Sequence, residues 1–149
     1  MRQATMDKVR DSMGIRPHVA ALPNREQVMR EFGTMPANVP GITLMLLSTA
    51  DGRAVANWAA TDGIDPRRLS AMTNSFLTLG ETMARELSMS PAEYATICTG
   101  GGNMVLIRIN GPVPMTLATM GDPRATLATL LFAARDCARR ISDLIPGNI

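Results

Sequence analysis

The stretch 41–60, GITLMLLSTADGRAVANWAA, decides the class of fold, because here the hydrophobic period changes from helical to alternating. Residues 42–49 carry apolar side chains on both faces of an extended strand, which predicts a strand covered on both sides. Asp51-Gly52 then predicts a hairpin with a type I′ turn, since both residue types tolerate positive φ. The return strand covers 53–60 and includes Trp58. We expect these two strands to pair antiparallel.

A short helix is predicted upstream of this hairpin. Asn24 is a candidate N-cap, with Gln27 in the capping-box position, and Gly33 is expected to end the helix. A loop with several prolines follows at 36–40. Residues 1–22 show weak periodicity and are predicted to be a mobile or loosely helical N-terminal extension, which leaves 23–149 as one domain.

A longer helix is predicted downstream, over 65–89, with Asp65 as N-cap and Pro66 at its first position. Large apolar residues recur on one side at helical spacing, and we expect this side to face the sheet: Leu69, Met72, Phe76, Leu79 and Met83. No charged residue occurs between Leu69 and Gly80. An exposed helix surface without charge is unusual, so the opposite side is predicted to contact a second subunit or a partner: Ser70, Thr73, Asn74, Leu77 and Thr78.

Three more strands and a helix complete the pattern. The strands are expected at 94–99, 104–109 and 115–120, with a Gly100–Asn103 turn, and Asp122-Pro123 is expected to open a helix that runs to about Leu144. The order α-β-β-α-β-β-β-α predicts an α/β (α+β) three-layer sandwich. Its five-stranded, largely antiparallel sheet has the long helix on one face and one or two helices on the other.

The charge distribution argues against nucleic acid as a partner. Residues 1–40 hold six basic and four acidic residues, whereas 41–149 hold nine of each. Duplex binding requires a basic face and single-strand binding favours aromatic residues, yet aromatics make up only 3% of the chain. The one basic cluster, Arg135, Arg139 and Arg140, is interleaved with Asp136 and Asp143 and is interpreted as a solvated helix face.

Catalytic constellations are also missing from the sequence. Cys98 has no histidine nearby to act as its base, and the two cysteines have no metal-ligand spacing. Gly100–Gly102 is followed by Asn103 and a strand rather than by the Lys-Ser/Thr and helix of a phosphate loop. The carboxylates Glu81, Glu86 and Glu93 are interpreted as solvated. We therefore expect a non-enzyme without cofactor or metal, and a cytoplasmic location because no apolar run is long enough for a membrane span.

The ordered combination of these elements resembles the Roadblock family, which includes dynein light chains and bacterial gliding regulators and has a profilin-like sandwich. The resemblance covers about 24–145 and rests on the strand that ends at Asp51-Gly52, on Leu77-Thr78-Leu79-Gly80-Glu81 in the long helix, and on the three later strands and closing helix.

The resemblance implies a homodimer in which two copies join their third strands edge to edge and pack their second helices together. The third strand, 94–99, has no lysine or proline to protect an edge. The predicted interface residues are therefore Ser70, Thr73, Asn74, Phe76, Leu77, Thr78, Tyr94, Thr96 and Cys98. The resemblance further implies a non-catalytic regulator or scaffold for a small Ras-like GTPase or a related signalling protein. The alternative is a small-ligand-sensing module of PAS/GAF-like architecture, which would require a cavity between sheet and helix.

Overall fold

The computed structural model describes residues 22–147. Three helices and five strands follow one another in the predicted order. Their bounds are α1 Arg25–Asn38, β1 Ile42–Thr49, β2 Ala54–Ala59, α2 Pro66–Glu86, β3 Tyr94–Thr99, β4 Gly102–Ile109, β5 Met115–Gly121 and α3 Leu127–Leu144. The predicted extension lies outside the described residues except for Leu22, which packs against the core. The domain boundary at residue 23 stays a prediction.

The five strands form one sheet in the order β2-β1-β5-β4-β3, and every neighbouring pair is antiparallel. In the central register, Leu46 of β1 lies opposite Asn57 of β2 and Ala118 of β5. Helix α2 covers one face of the sheet, and α1 and α3 cover the other. The predicted three-layer sandwich is confirmed.

The two faces of the sheet are packed differently. Large apolar side chains fill the space between the sheet and the pair α1–α3, among them Phe32, Met45, Leu117 and Ile141. The cluster below α2 is much smaller, with a buried centre formed by Leu44, Leu46, Leu106 and Ala118. Because this cluster does not extend along the whole helix, other side chains must fill the rest of the space between α2 and the sheet.

The first helix is longer than predicted, because α1 continues through Gly33 and Pro36 to Asn38. The prediction that Gly33 ends the helix is therefore wrong. Phe32 and Met35 are buried against the core on both sides of the glycine, and the N–H of Val39 still donates to the carbonyl of Met35 over 2.8 Å. Tertiary packing thus overrides the weak helix propensity of glycine and proline at these positions.

Two turns also differ from their predicted form. In the β1–β2 hairpin only Gly52 has positive φ, at +92°, so the turn is not type I′. The Thr49 hydroxyl donates to the Asp51 carboxylate and is the main reason why the pKa of Asp51 lies below its ordinary value. Before α3, the N-cap is Thr126 instead of Asp122, whose side chain accepts hydrogen bonds from Arg124.

Helix α2 begins as predicted but ends earlier. Asp65 caps it by accepting a hydrogen bond from the N–H of Arg67 at 3.0 Å, and Pro66 is its first residue. The helix ends at Glu86 rather than at residue 89, because Ser88 adopts a left-handed conformation with φ of 54°. This turn redirects the chain towards β3 before Pro91 is reached.

The glycine that begins β4 is required by a close backbone approach. A Cβ on Gly102 would lie 2.2 Å from the carbonyl oxygen of Gly121, and its φ is +141°. We predict that Gly102→Ala lowers the free energy of unfolding by about 3 kcal/mol in urea titrations. The matched control is Gly101→Ala, because its Cβ would meet nothing closer than 3.9 Å. Equal effects of the two substitutions would contradict this account.

Candidate functional site

A row of large apolar side chains on α2 faces away from the sheet. We call this row the outward stripe; its exposed fractions are 57% for Met72, 43% for Phe76, 60% for Leu79 and 56% for Met83. Leu87 and Met89 extend the apolar surface beyond the end of the helix. A contiguous apolar surface of this kind on one chain is typical of a contact with another molecule.

The two sides of α2 are thus exchanged relative to the prediction. The stripe from Met72 to Met83 is not core, and four residues assigned to the partner-facing side lie against the chain's own sheet: Ser70, Thr73, Asn74 and Leu77. The interface prediction is wrong for these four, since a single copy already buries them. Phe76 and Thr78 remain exposed and stay predicted interface residues.

A network of hydrogen bonds between α2 and three strands explains the exchange. Asn74 donates from Nδ2 to the Ser48 hydroxyl of β1 at 2.8 Å, and its Oδ1 accepts from the Thr116 hydroxyl of β5 at 2.6 Å. Arg108 of β4 donates from Nη1 to both Asn74 and Thr116, at 3.1 and 2.7 Å. Buried polar groups require such partners, and the inward side of the helix supplies them here.

The same arginine forms an ion pair with the helix. Arg108 donates from Nη2 to Oε1 of Glu81 at 2.6 Å and from Nε to Oε2 at 3.3 Å, which is a two-pronged contact. Its side chain is only 9% exposed. Glu81 is therefore not the solvated carboxylate that the sequence predicted. Rotating α2 by half a turn would leave the buried guanidinium without its carboxylate.

One sequence signal could have revealed this network. Arg108 is the only charged residue of β4, it follows the buried apolar residues 105–107, and it lies opposite Thr116 on β5. A charge on a buried strand requires a partner from the element that covers it. Glu81 and Asn74 on the covering helix are the side chains that meet that requirement, but the large size of the outward residues suggested the opposite orientation.

Strand β3 lies at one edge of the sheet, as the resemblance implied. It pairs only with β4, and within residues 22–147 no strand is bonded to its other side. An edge strand without lysine, proline or a bulge is open to pairing with another strand. The outward stripe and this edge belong to neighbouring elements, because α2 also contacts β3.

The three predicted residues on β3 differ in their surroundings. Arg135 of α3 lies over the ring of Tyr94, with its guanidinium carbon 4.9 Å from the ring centroid, and also pairs with Glu93 at 3.1 Å. Thr96 is half-buried and Cys98 is exposed. None of the three is enclosed in the chain's own core, so they stay predicted interface residues.

The remaining chemical groups do not form a second site. Burial raises the pKa of the Cys137 thiol to about 12, so this cysteine is a neutral core side chain. Within the described part of the chain, no group of three or more metal-ligating side chains is placed to hold a metal ion.

A groove of about 490 Å³ runs beside α2, lined by Asp51, Ser75 and Thr82 among others. None of the helices in residues 22–147 is long and apolar enough to span a bilayer.

The fold and the exposed surfaces together define a small α/β sandwich in which the outward side of α2 and the outer edge of β3 are left uncovered by the rest of residues 22–147. The gliding protein MglB from Thermus thermophilus has this fold, with a TM-score of 0.72 at 10% identity over 81% of this chain and 90% of that one. An MglB with a tetrameric arrangement is also similar, with a TM-score of 0.74 at 12% identity over 84% and 92% of the two chains.

A Roadblock/LC7 domain from Streptomyces avermitilis is a further structural neighbour, with a TM-score of 0.66 at 13% identity over 74% of this chain and 91% of that one. The chain therefore has a Roadblock/LC7-like fold, which confirms the resemblance seen in the sequence. No protein-family model matches the sequence, and no curated protein is similar to it in sequence. At these low identities the structural likeness establishes the fold alone.

The network below α2 can be tested by removing its charge. We predict that Arg108→Met lowers the free energy of unfolding by about 2–4 kcal/mol, because Glu81 and Asn74 lose their common partner. Arg139→Met is the matched control, since the pair that Arg139 forms with Asp136 is exposed and Arg140 remains beside the same carboxylate. A cost below about 1 kcal/mol is expected there. Similar losses in both variants would refute a special role for Arg108.

Proposed function

We propose that this chain forms a homodimer through the outward stripe and the free edge of β3. The observation that carries the proposal is the exposed position of Met72, Phe76, Leu79 and Met83 on a helix beside an open sheet edge. Joining two copies along β3 satisfies unpaired backbone groups, and packing the two α2 helices removes apolar surface from water. Both gains come from one two-fold contact.

The proposed role of this dimer is that of a non-enzymatic regulator or scaffold for a small Ras-like GTPase. The resemblance to the Roadblock family implies this class of partner, and the Roadblock/LC7-like fold supports it. The body of the domain is electrically neutral, which fits a protein partner better than a polyanion.

The dimer is tested with one substitution on each face of the molecule. We predict that the wild-type protein sediments as a dimer at tens of micromolar and that Phe76→Arg raises the dissociation constant by about two orders of magnitude or more. Phe132→Arg is the matched control, since Phe132 is 77% exposed on α3, on the opposite face. A monomeric wild type, or equal effects of the two arginines, would contradict the proposed dimer.

Leu77→Arg, measured in the same experiment, distinguishes the buried side of α2 from its exposed side. Leu77 is completely buried against the sheet, so an arginine there is expected to unfold the chain instead of dissociating a folded dimer. Circular dichroism of both variants distinguishes the outcomes, because Phe76→Arg should keep the native spectrum.

The GTPase partner is tested by calorimetry with purified Ras-like GTPases encoded by the same genome. Each GTPase is loaded with GDP or with a non-hydrolysable GTP analogue. We expect binding in the micromolar range to one nucleotide state, with loss of binding in Phe76→Arg. No binding in either state would refute the GTPase proposal.

A thermal-shift screen with nucleotides and metabolites tests the ligand-sensing alternative, which predicts stabilisation by a small molecule alone.

A further inference from the structure

Charged residues lie at both ends of α2 around an uncharged centre. Arg67 and Arg68 lie in its first turn, Arg85 and Glu86 are its last two residues, and no charge occurs from Leu69 to Gly80. Arg68 and Glu86 are both exposed. Among residues 22–147, neither side chain has an ion-pair partner. Two unpaired opposite charges at the ends of one apolar surface suggest that their partners lie on another molecule.

The spacing of the outward stripe is the same when read in either direction. Its members follow one another at intervals of four, three and four residues. In a two-fold contact, residue i of one copy meets residue j of the other and j meets i. Suppose that two copies of the helix pack antiparallel, with the two-fold axis passing between Leu77 and Thr78. The spacing then places Met72 of one copy opposite Met83 of the other, and Phe76 opposite Leu79.

The charged ends lie on one flank of this stripe. Arg68 and Glu86 are separated by 18 residues, and at 100° per residue this is a whole number of turns. Both side chains therefore leave the helix in the same direction, about 50° from the middle of the stripe. Arg67 leaves the helix about 100° further away and points to the other side of α2, as does Arg85, which follows it by 18 residues.

We infer that Arg68 of each copy pairs with Glu86 of the other and that these two ion pairs select the antiparallel register of the helices. Arg68 lies about 14 Å along the axis from the centre of the stripe and Glu86 about 13 Å on the other side, at 1.5 Å per residue. In the antiparallel contact the two charges meet at nearly the same height. In a parallel two-fold contact the flank is reversed on the second copy, so equal charges lie at one height on opposite flanks and neither meets an opposite charge. This inference rests on the proposed homodimer.

Charge reversal with rescue tests the pairing. The dissociation constant of the full-length dimer is measured by sedimentation equilibrium at low salt for wild type, Arg68→Glu, Glu86→Arg and the double variant. Each single reversal is expected to raise it roughly tenfold, since it turns two attractive contacts per dimer into repulsive ones. The double variant is expected to return to within about threefold of wild type. High salt should reduce these differences because the pairs are exposed.

Arg67→Glu is the matched control, because it places the same charge change one residue away in the first turn of the helix. It is expected to alter the dissociation constant less than about twofold. Failure of the double variant to recover, or an equal effect of Arg67→Glu, overturns the pairing. A wild type that stays monomeric refutes the homodimer itself. A dimer that Phe76→Arg dissociates but charge reversal leaves unchanged refutes only the register inference.

Discussion

The contact between Arg108 and Glu81 below α2 controls how the longest helix lies on the sheet. A guanidinium on a buried strand must meet a carboxylate or carbonyl, and the helix meets it by turning Glu81 and Asn74 inward. The rotation of α2 follows from this requirement. With the polar residues inside, the large apolar residues of the same helix are left facing water.

The two faces of the sheet are consequently held to their helices by different interactions. On the α1–α3 side it is held by large interdigitating side chains, and on the α2 side by a small apolar cluster beside a polar network. Replacing a whole buried ion pair by apolar side chains often leaves the free energy of unfolding unchanged, so the pair by itself is weak evidence of a net gain in stability. Either side of α2 could pack against the sheet, and we interpret the Arg108–Glu81 pair as selecting which of the two does so.

Most of the architecture could be predicted from local patterns. Alternating apolar strands, the Asp51-Gly52 hairpin and the Asp65-Pro66 helix start are each specified by a few adjacent residues. The errors have a common origin. Gly33 and Pro36 read locally as a helix end, but α1 continues because Phe32 and Met35 are buried by elements distant in the chain. Likewise Asp122 resembles an N-cap, yet it is occupied by Arg124 and Thr126 caps α3.

The sequence by itself determined the order of the elements, the neutral body, the charge-free helix and an unprotected third strand. The tertiary structure decided that this strand lies at an edge and which side of α2 is left exposed. Helical periodicity shows that a helix has two sides, but it does not say which side meets the sheet. That choice depends on Ser48, Arg108 and Thr116 becoming neighbours on three different strands, a juxtaposition that exists only once the sheet has formed.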